Sequence, residues 1–164
     1  MITQAMIPKF LVDLNVGRLA RRLRMLGYDT LFIDGAEDDQ LVRVAAREGR
    51  ILLTKDTGIM KRRIVSSGKV KALLIESADV RDQLRQVVRE LQLDSSVTPF
   101  SRCMACNGLL MSVGKEEIRD LVPPYVFQTQ NQFTQCGECR RIYWRGTHWD
   151  KMVRELDQLR GSQG

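Results

Sequence analysis

The four cysteines of this 164-residue chain fall in two matched turns, Cys103-Met104-Ala105-Cys106 and Cys136-Gly137-Glu138-Cys139, with 29 residues between them. A Cys-x-x-Cys turn points two thiolates at one spot, and two such turns complete a tetrahedron around a single metal ion. Every cysteine is used in this arrangement. The spacing therefore predicts a structural zinc site that organises the last third of the chain, with Cys103, Cys106, Cys136 and Cys139 as ligands. Gly108 and Gly137 suit knuckle turns that need positive φ. His148, the only histidine, is a spare nitrogen donor, but four thiolates already close the coordination shell and leave no open position for catalysis.

Upstream of the cysteines, short apolar runs alternate with amphipathic segments. Residues 10–12, 30–33, 50–54 and 71–75 read as strands, continuously apolar in the way of buried parallel strands. Residues 18–26, 40–48, 57–67 and 80–91 read as helices, the second capped by Asp38 or Asp39 and closed by Gly49. This alternation predicts an α/β fold, a parallel sheet flanked by helices. The composition changes at residues 94–99. The expected organisation is an α/β domain over 1–93, a linker over 94–101, and a small four-cysteine zinc ribbon with a C-terminal helix over 102–164.

Charge narrows the choice of partner. The net charge is +6, and the surplus sits almost wholly in the first 102 residues. A basic surface interleaved with acids suits a polyanion, RNA or DNA ahead of anionic lipid. No apolar run reaches the ~20 residues that a membrane span needs. The N-terminal stretch lacks the basic start, apolar run and cleavage site of a signal peptide. The expectation is a cytoplasmic protein without a membrane partner, in a reducing compartment that keeps its cysteines as thiols. Nothing in the sequence sets the oligomeric state.

Carboxylates mark the ends of the expected strands. Asp13 closes the first and Asp56 the third, while Asp38 and Asp39 open the helix after the second. In a parallel sheet, ligands gather at the carboxyl ends of the strands near the topological switch point. Several acids meeting there are either paired with bases or hold a hard cation such as Mg²⁺ or Mn²⁺. Arg18, Arg21, Arg22 and Arg24 follow Asp13, and Lys55, Lys61, Arg62 and Arg63 surround Asp56. Such cations suit the flanking phosphates of a phosphodiester substrate.

Residues 10–20 (FLVDLNVGRLA), 24–30 (RMLGYDT) and 50–56 (RILLTKD) resemble the PIN-like ribonuclease domain first described at the C-terminal end of the "mutator seven" exonuclease. Residues 102–108 (RCMACNG), 136–139 (CGEC) and 143–149 (YWRGTHW) resemble the ribbon that follows it in that family. The resemblance implies a PIN-like sheet followed by a zinc ribbon, and Mg²⁺- or Mn²⁺-dependent endonucleolytic cleavage of RNA. It implies Asp13, Asp39 and Asp56 as catalytic acids and ligands of that metal, with Asp38 a close competitor of Asp39. Asn15 and Thr54 match positions of polar support. Arg18, Arg21, Arg22, Lys55 and Arg62 are the expected RNA contacts. The fourth acid of fuller PIN domains has no counterpart, because residues 18–26 contain no carboxylate. The competing reading is a non-catalytic RNA- or ribosome-associated binding module, in which the ribbon and the arginine-rich helix make the contacts.

Overall fold

The computed structural model describes residues 6–93 and 97–161, so positions 94–96 of the expected linker lie outside the described residues. Four short strands, β1 (Phe10–Val12), β2 (Thr30–Phe32), β3 (Ile51–Thr54) and β4 (Ala72–Leu74), form one parallel sheet in the order β2-β1-β3-β4. Five helices connect and cover them: α1 (Gly17–Met25), α2 (Asp38–Glu48), α3 (Thr57–Lys61), α4 (Arg63–Ser66) and α5 (Val80–Glu90). Side chains alternate across a strand. Phe10, Val12 and Leu53 therefore join one core with α1 and α5, while Leu11 and Leu52 join another with α2, α3 and α4. Phe10, Leu11, Leu52 and Leu53 are wholly buried, each contributing about 1.5–3 kcal/mol. With both faces covered, no polar residue is tolerated inside β1.

The chain leaves β1 for β2 on one side and β3 on the other. The carboxyl ends of β1 and β3 thus border the switch-point crevice, where an open parallel sheet receives ligands. Two local expectations are corrected here. Glu37, extended at φ −82°, ψ 162°, is the N-cap of α2, so Asp38 and Asp39 both lie in its first turn instead of capping it. The single helix expected over 57–67 is broken at Arg62, which is extended (φ −61°, ψ 138°). The Arg62 carbonyl turns the chain by accepting from the N–H groups of Val65 and Ser66.

Past the linker, β5 (Leu110–Val113), β6 (Phe133–Cys136) and β7 (Ile142–Trp144) form an antiparallel sheet in sequence order. A 3₁₀ turn (Lys115–Leu121) and α6 (Pro124–Thr129) join β5 to β6, and α7 (Thr147–Gly161) follows β7. The core of this unit is small, with Ile118, Val122 and Phe133 as its buried members.

The ribbon docks at the amino-terminal edge of the parallel sheet. The buried Arg24 guanidinium donates from Nε to the Thr30 carbonyl (2.9 Å) and from Nη1 to the Met104 carbonyl (3.0 Å). The Asn107 amide accepts from Thr30 N–H (3.0 Å) and donates to Asp29 Oδ1 (2.7 Å), which also accepts from Arg50 (2.9 Å). Phe100 N–H donates to the Met25 carbonyl (2.8 Å), and the Phe100 ring lies 3.7 Å from that of Trp149. Gly27, at φ +101°, leaves room for this approach, because a Cβ there would run into the Thr98 carbonyl. Phe100, Met104, Met152 and Leu159 pack on the core of α1 and α5.

Candidate active site and metal centre

Pairing of Leu110 with Cys136 in the β5–β6 ladder brings the two cysteine turns face to face. All four Sγ atoms lie within 4.8 Å of one another, with Cys103–Cys139 at 3.6 Å and Cys106–Cys136 at 3.4 Å. A tetrahedron with metal–sulfur bonds of about 2.3 Å has edges of about 3.8 Å. The four cysteines are thus positioned to bind a metal such as zinc. Gly108 N–H points at Cys106 Sγ, Glu138 and Cys139 N–H at Cys136 Sγ, and the Tyr143 hydroxyl lies 3.0 Å from Cys103 Sγ. The left-handed positions in the knuckles are Asn107 (φ 75°) and Arg140 (φ 69°), each directly after a second cysteine, and not Gly108 or Gly137. Gly108 is required for space, since a Cβ there would sit 2.8 Å from Cys136 Sγ. The His148 side chain lies outside the described residues.

At the opposite edge of the parallel sheet, Asp13 N–H extends the ladder to the Leu53 carbonyl (3.0 Å). The Asp13 carboxylate is 7% exposed. Its Oδ1 accepts from Leu14 N–H (2.7 Å) and its Oδ2 from the Thr54 hydroxyl (2.8 Å). The same wholly buried hydroxyl accepts from Asp56 N–H (2.9 Å). Thr54 therefore ties the acid after β1 to the acid after β3. Asp56 Oδ1 in turn accepts from Gly58 N–H (2.7 Å) as the cap of α3.

The third acid of the cluster is Asp38. Burial raises its pKa, and the charges of Asp56 and Asp13 push it further up, against the pull of Arg62. Asp39, expected in this place, instead pairs with Arg62 and keeps 70% of its side chain exposed. The pairing lowers the pKa of Asp39 and raises that of Arg62. Successive residues of an α-helix point about 100° apart, so only one of two adjacent acids can face the strand ends. Among the described residues, none of Asp13, Asp38 and Asp56 is in an ion pair. Three carboxylates in no described ion pair, beside an Arg62 already engaged by Asp39, fit a hard cation in chemistry. They are not drawn as tightly as the sulfurs: among the described residues, only the cysteines place three or more donor atoms within 4.8 Å. The expectation that three aspartates share one coordination sphere is not met in this form.

The other expected contributors are dispersed. Asn15 is exposed on the 3₁₀ turn after Asp13 and makes no described hydrogen bond to the acids. Lys55 is half-buried between Thr54 and Asp56. Arg18 and Arg21 are exposed on α1, whereas Arg22 is held by Glu155 of α7 at 2.6 Å. Arg24, expected among the phosphate-binding cations, is 6% exposed and spent on the ribbon.

The sequence pattern of the Mut7-C RNAse domain matches residues 8–156. The chain belongs to that family. The match runs through the parallel sheet, the acidic cluster, both cysteine turns and much of α7, so the Mut7-C RNase domain includes the ribbon as well as the α/β part. Over 108 residues the chain is 35% identical to a human protein named exonuclease mut-7 homolog, a stretch that covers 63% of this chain and 12% of that relative. No solved structure matches it. Membership of the Mut7-C RNase domain family supports a nuclease-type function.

Sequence reasoning missed the docking residues Asp29, Asn107 and Arg50. One signal was present: Arg24 lies one helical turn after Ala20, on the buried side of α1.

Proposed function

We propose that this chain is a divalent-metal-dependent ribonuclease that cuts RNA internally, with Asp13, Asp38 and Asp56 as the acids that take up Mg²⁺ or Mn²⁺. In this reading zinc is the structural metal of the four cysteines. Residues 1–93 carry the chemistry, and 102–164 brace it. The observation that carries the proposal is the set of carboxylates that form no described ion pair at the switch point, with the neighbouring Arg62 engaged by Asp39, in a chain of a ribonuclease domain family.

A divalent ion bound there would lower the pKa of a water molecule and neutralise charge on the scissile phosphate. The protein's own part is positional. Thr54 and the Leu14 N–H fix the Asp13 carboxylate, and Gly58 N–H fixes that of Asp56. Asp39 holds Arg62 beside Asp38 and Asp56, where a guanidinium can grip a phosphate next to the one being cut. Asp38 and Asp56 are half-exposed. No described helix is long and apolar enough to cross a membrane, and four cysteines in no disulfide suit a reducing compartment such as the cytoplasm.

The competing reading, a non-catalytic RNA-binding module, is favoured by the spacing of the carboxylates. A cleavage assay with Mn²⁺ on single-stranded and structured RNAs separates the two. The ribonuclease reading predicts internal cuts that fall at least about 100-fold in Asp13→Asn, a barrier increase of about 2.7 kcal/mol. RNA that is bound but left intact by the wild type, with Mn²⁺ present, establishes the binding module instead.

A further inference from the structure

A groove of about 390 Å³ runs between α1, the start of α5 and α7. Its floor is apolar, made by Met25 of α1, Met104 of the first cysteine turn and Met152 of α7. Its walls are basic: Arg18, Arg21, Arg22, Arg81 and Lys151 face a single carboxylate, Glu155. Four positive charges are left in excess. Glu155 bridges Arg22 (2.6 Å) and Arg81 (3.7 Å), which holds those two cations in place. Arg18, Arg21 and Lys151 are exposed and in no ion pair among the described residues.

The direction of the groove matters as much as its charge. Met104 and Met25 lie at the ribbon end, at the amino-terminal edge of the sheet. Arg18 stands in the first turn of α1, five positions after Asp13, and Arg81 in the first turn of α5, which follows β4. The groove therefore opens at the carboxyl edge of the sheet, the edge that carries the acids.

We infer that this groove is a phosphate-binding track that leads single-stranded RNA to the acidic crevice, with Arg81 and Lys151 as RNA-binding residues supplied by α5 and α7. The inference rests on the ribonuclease reading for the identity of the polyanion. Several cations along one groove can hold a nucleic-acid backbone through its phosphates without reading its sequence. The partly exposed Met104 and Met152 offer soft, adaptable surface to sugars and base faces.

The test is fluorescence anisotropy of the full chain with a labelled single-stranded RNA of about 15 nucleotides, in buffer without added divalent ions, over a range of salt concentrations. Both Lys151→Glu and Arg81→Glu are expected to weaken binding about fivefold or more, and each to lower the salt slope by about 1. The charge-matched control Lys69→Glu, an exposed residue before β4, is expected to stay within about twofold. Melting curves check that the variants fold. Equal losses in all three variants would reduce the effect to net charge and overturn the track, as would no loss at Lys151 and Arg81. Duplex RNA bound as tightly as the single strand, with the same response to Lys151→Glu, would also overturn it. The readout needs no cleavage, so an inactive wild type defeats the ribonuclease reading without touching this result.

Discussion

The cysteine cluster and the carboxylate cluster sit at opposite edges of the same α/β unit and gather like-charged ligands in different ways. Four sulfurs are packed within 4.8 Å by two tight turns and a strand pairing. The carboxylates come from three separate segments, Asp13 fixed by Thr54 and Leu14 and Asp56 by Gly58. The first arrangement is closed, with no position left for a substrate. In the second, burial first and then the charges of Asp56 and Asp13 raise the pKa of Asp38. A structural metal site needs ligands that converge without help. In the ribonuclease reading, a divalent ion between the carboxylates would relieve their mutual repulsion.

The strongest break of this contrast is Cys136→Ser. Among the described residues the buried apolar cluster of the ribbon is small, Ile118, Val122 and Phe133, so its order is expected to depend on metal, whose binding in small modules is worth about 10–16 kcal/mol. The variant is expected to lose bound zinc and the β5–β7 sheet, read by elemental analysis and circular dichroism. Retention of both would show that the thiols are not the organising element.

A smaller effect is expected at the docking edge. Burial pushes the Asp29 carboxyl up, but hydrogen bonds from Arg50 and Asn107 outweigh it and hold its pKa below the usual value. Asp29→Ala should cost about 1–3 kcal/mol in a denaturant melt at neutral pH. A depressed pKa contributes stability that is present above the ordinary value of about 3.9 and is lost as pH falls through the depressed one. The difference between wild type and Asp29→Ala should therefore narrow in acid.

Asp38 has the opposite sign. Its pKa is raised in the folded chain, so the charged form is strained above about pH 3.9 and relieved as pH falls. Asp38→Asn should leave the metal-free melting temperature unchanged or slightly higher at pH 7, by well under 1 kcal/mol after solvent screening, with the difference gone near pH 3. A clear loss of stability would mean that Asp38 is a structural partner. The mildest change is Asp39→Ala, which frees Arg62 from an exposed pair. Melting should not move, while the KM for RNA should rise.

Much of the frame was legible in the residues. The run Phe10–Val12 reads as a strand buried on both faces, because it is short, continuously apolar and ends at an acid just before an amphipathic helix. The cysteine spacing carries its own geometry. Three features were not legible. The choice between Asp38 and Asp39 depends on a single helical step, set by where α2 begins at Glu37. The pairing of Asp39 with Arg62 depends on the break between α3 and α4. The hydrogen bond from Asn107 to Asp29 spans 78 positions and leaves no periodic trace.

The central claim is that the carboxylates facing the crevice, and not the acid next to them, are built to receive a divalent ion. Melting temperature with and without Mn²⁺, in wild type, Asp38→Asn and Asp39→Asn, tests it most directly. A ligand that binds only the folded chain stabilises it by about 2.7 kcal/mol at 100 times its Kd. Mn²⁺ should raise the melting temperature of wild type and of Asp39→Asn, and the rise should be lost or greatly reduced in Asp38→Asn. No shift in wild type, or a shift lost in Asp39→Asn and kept in Asp38→Asn, would contradict it.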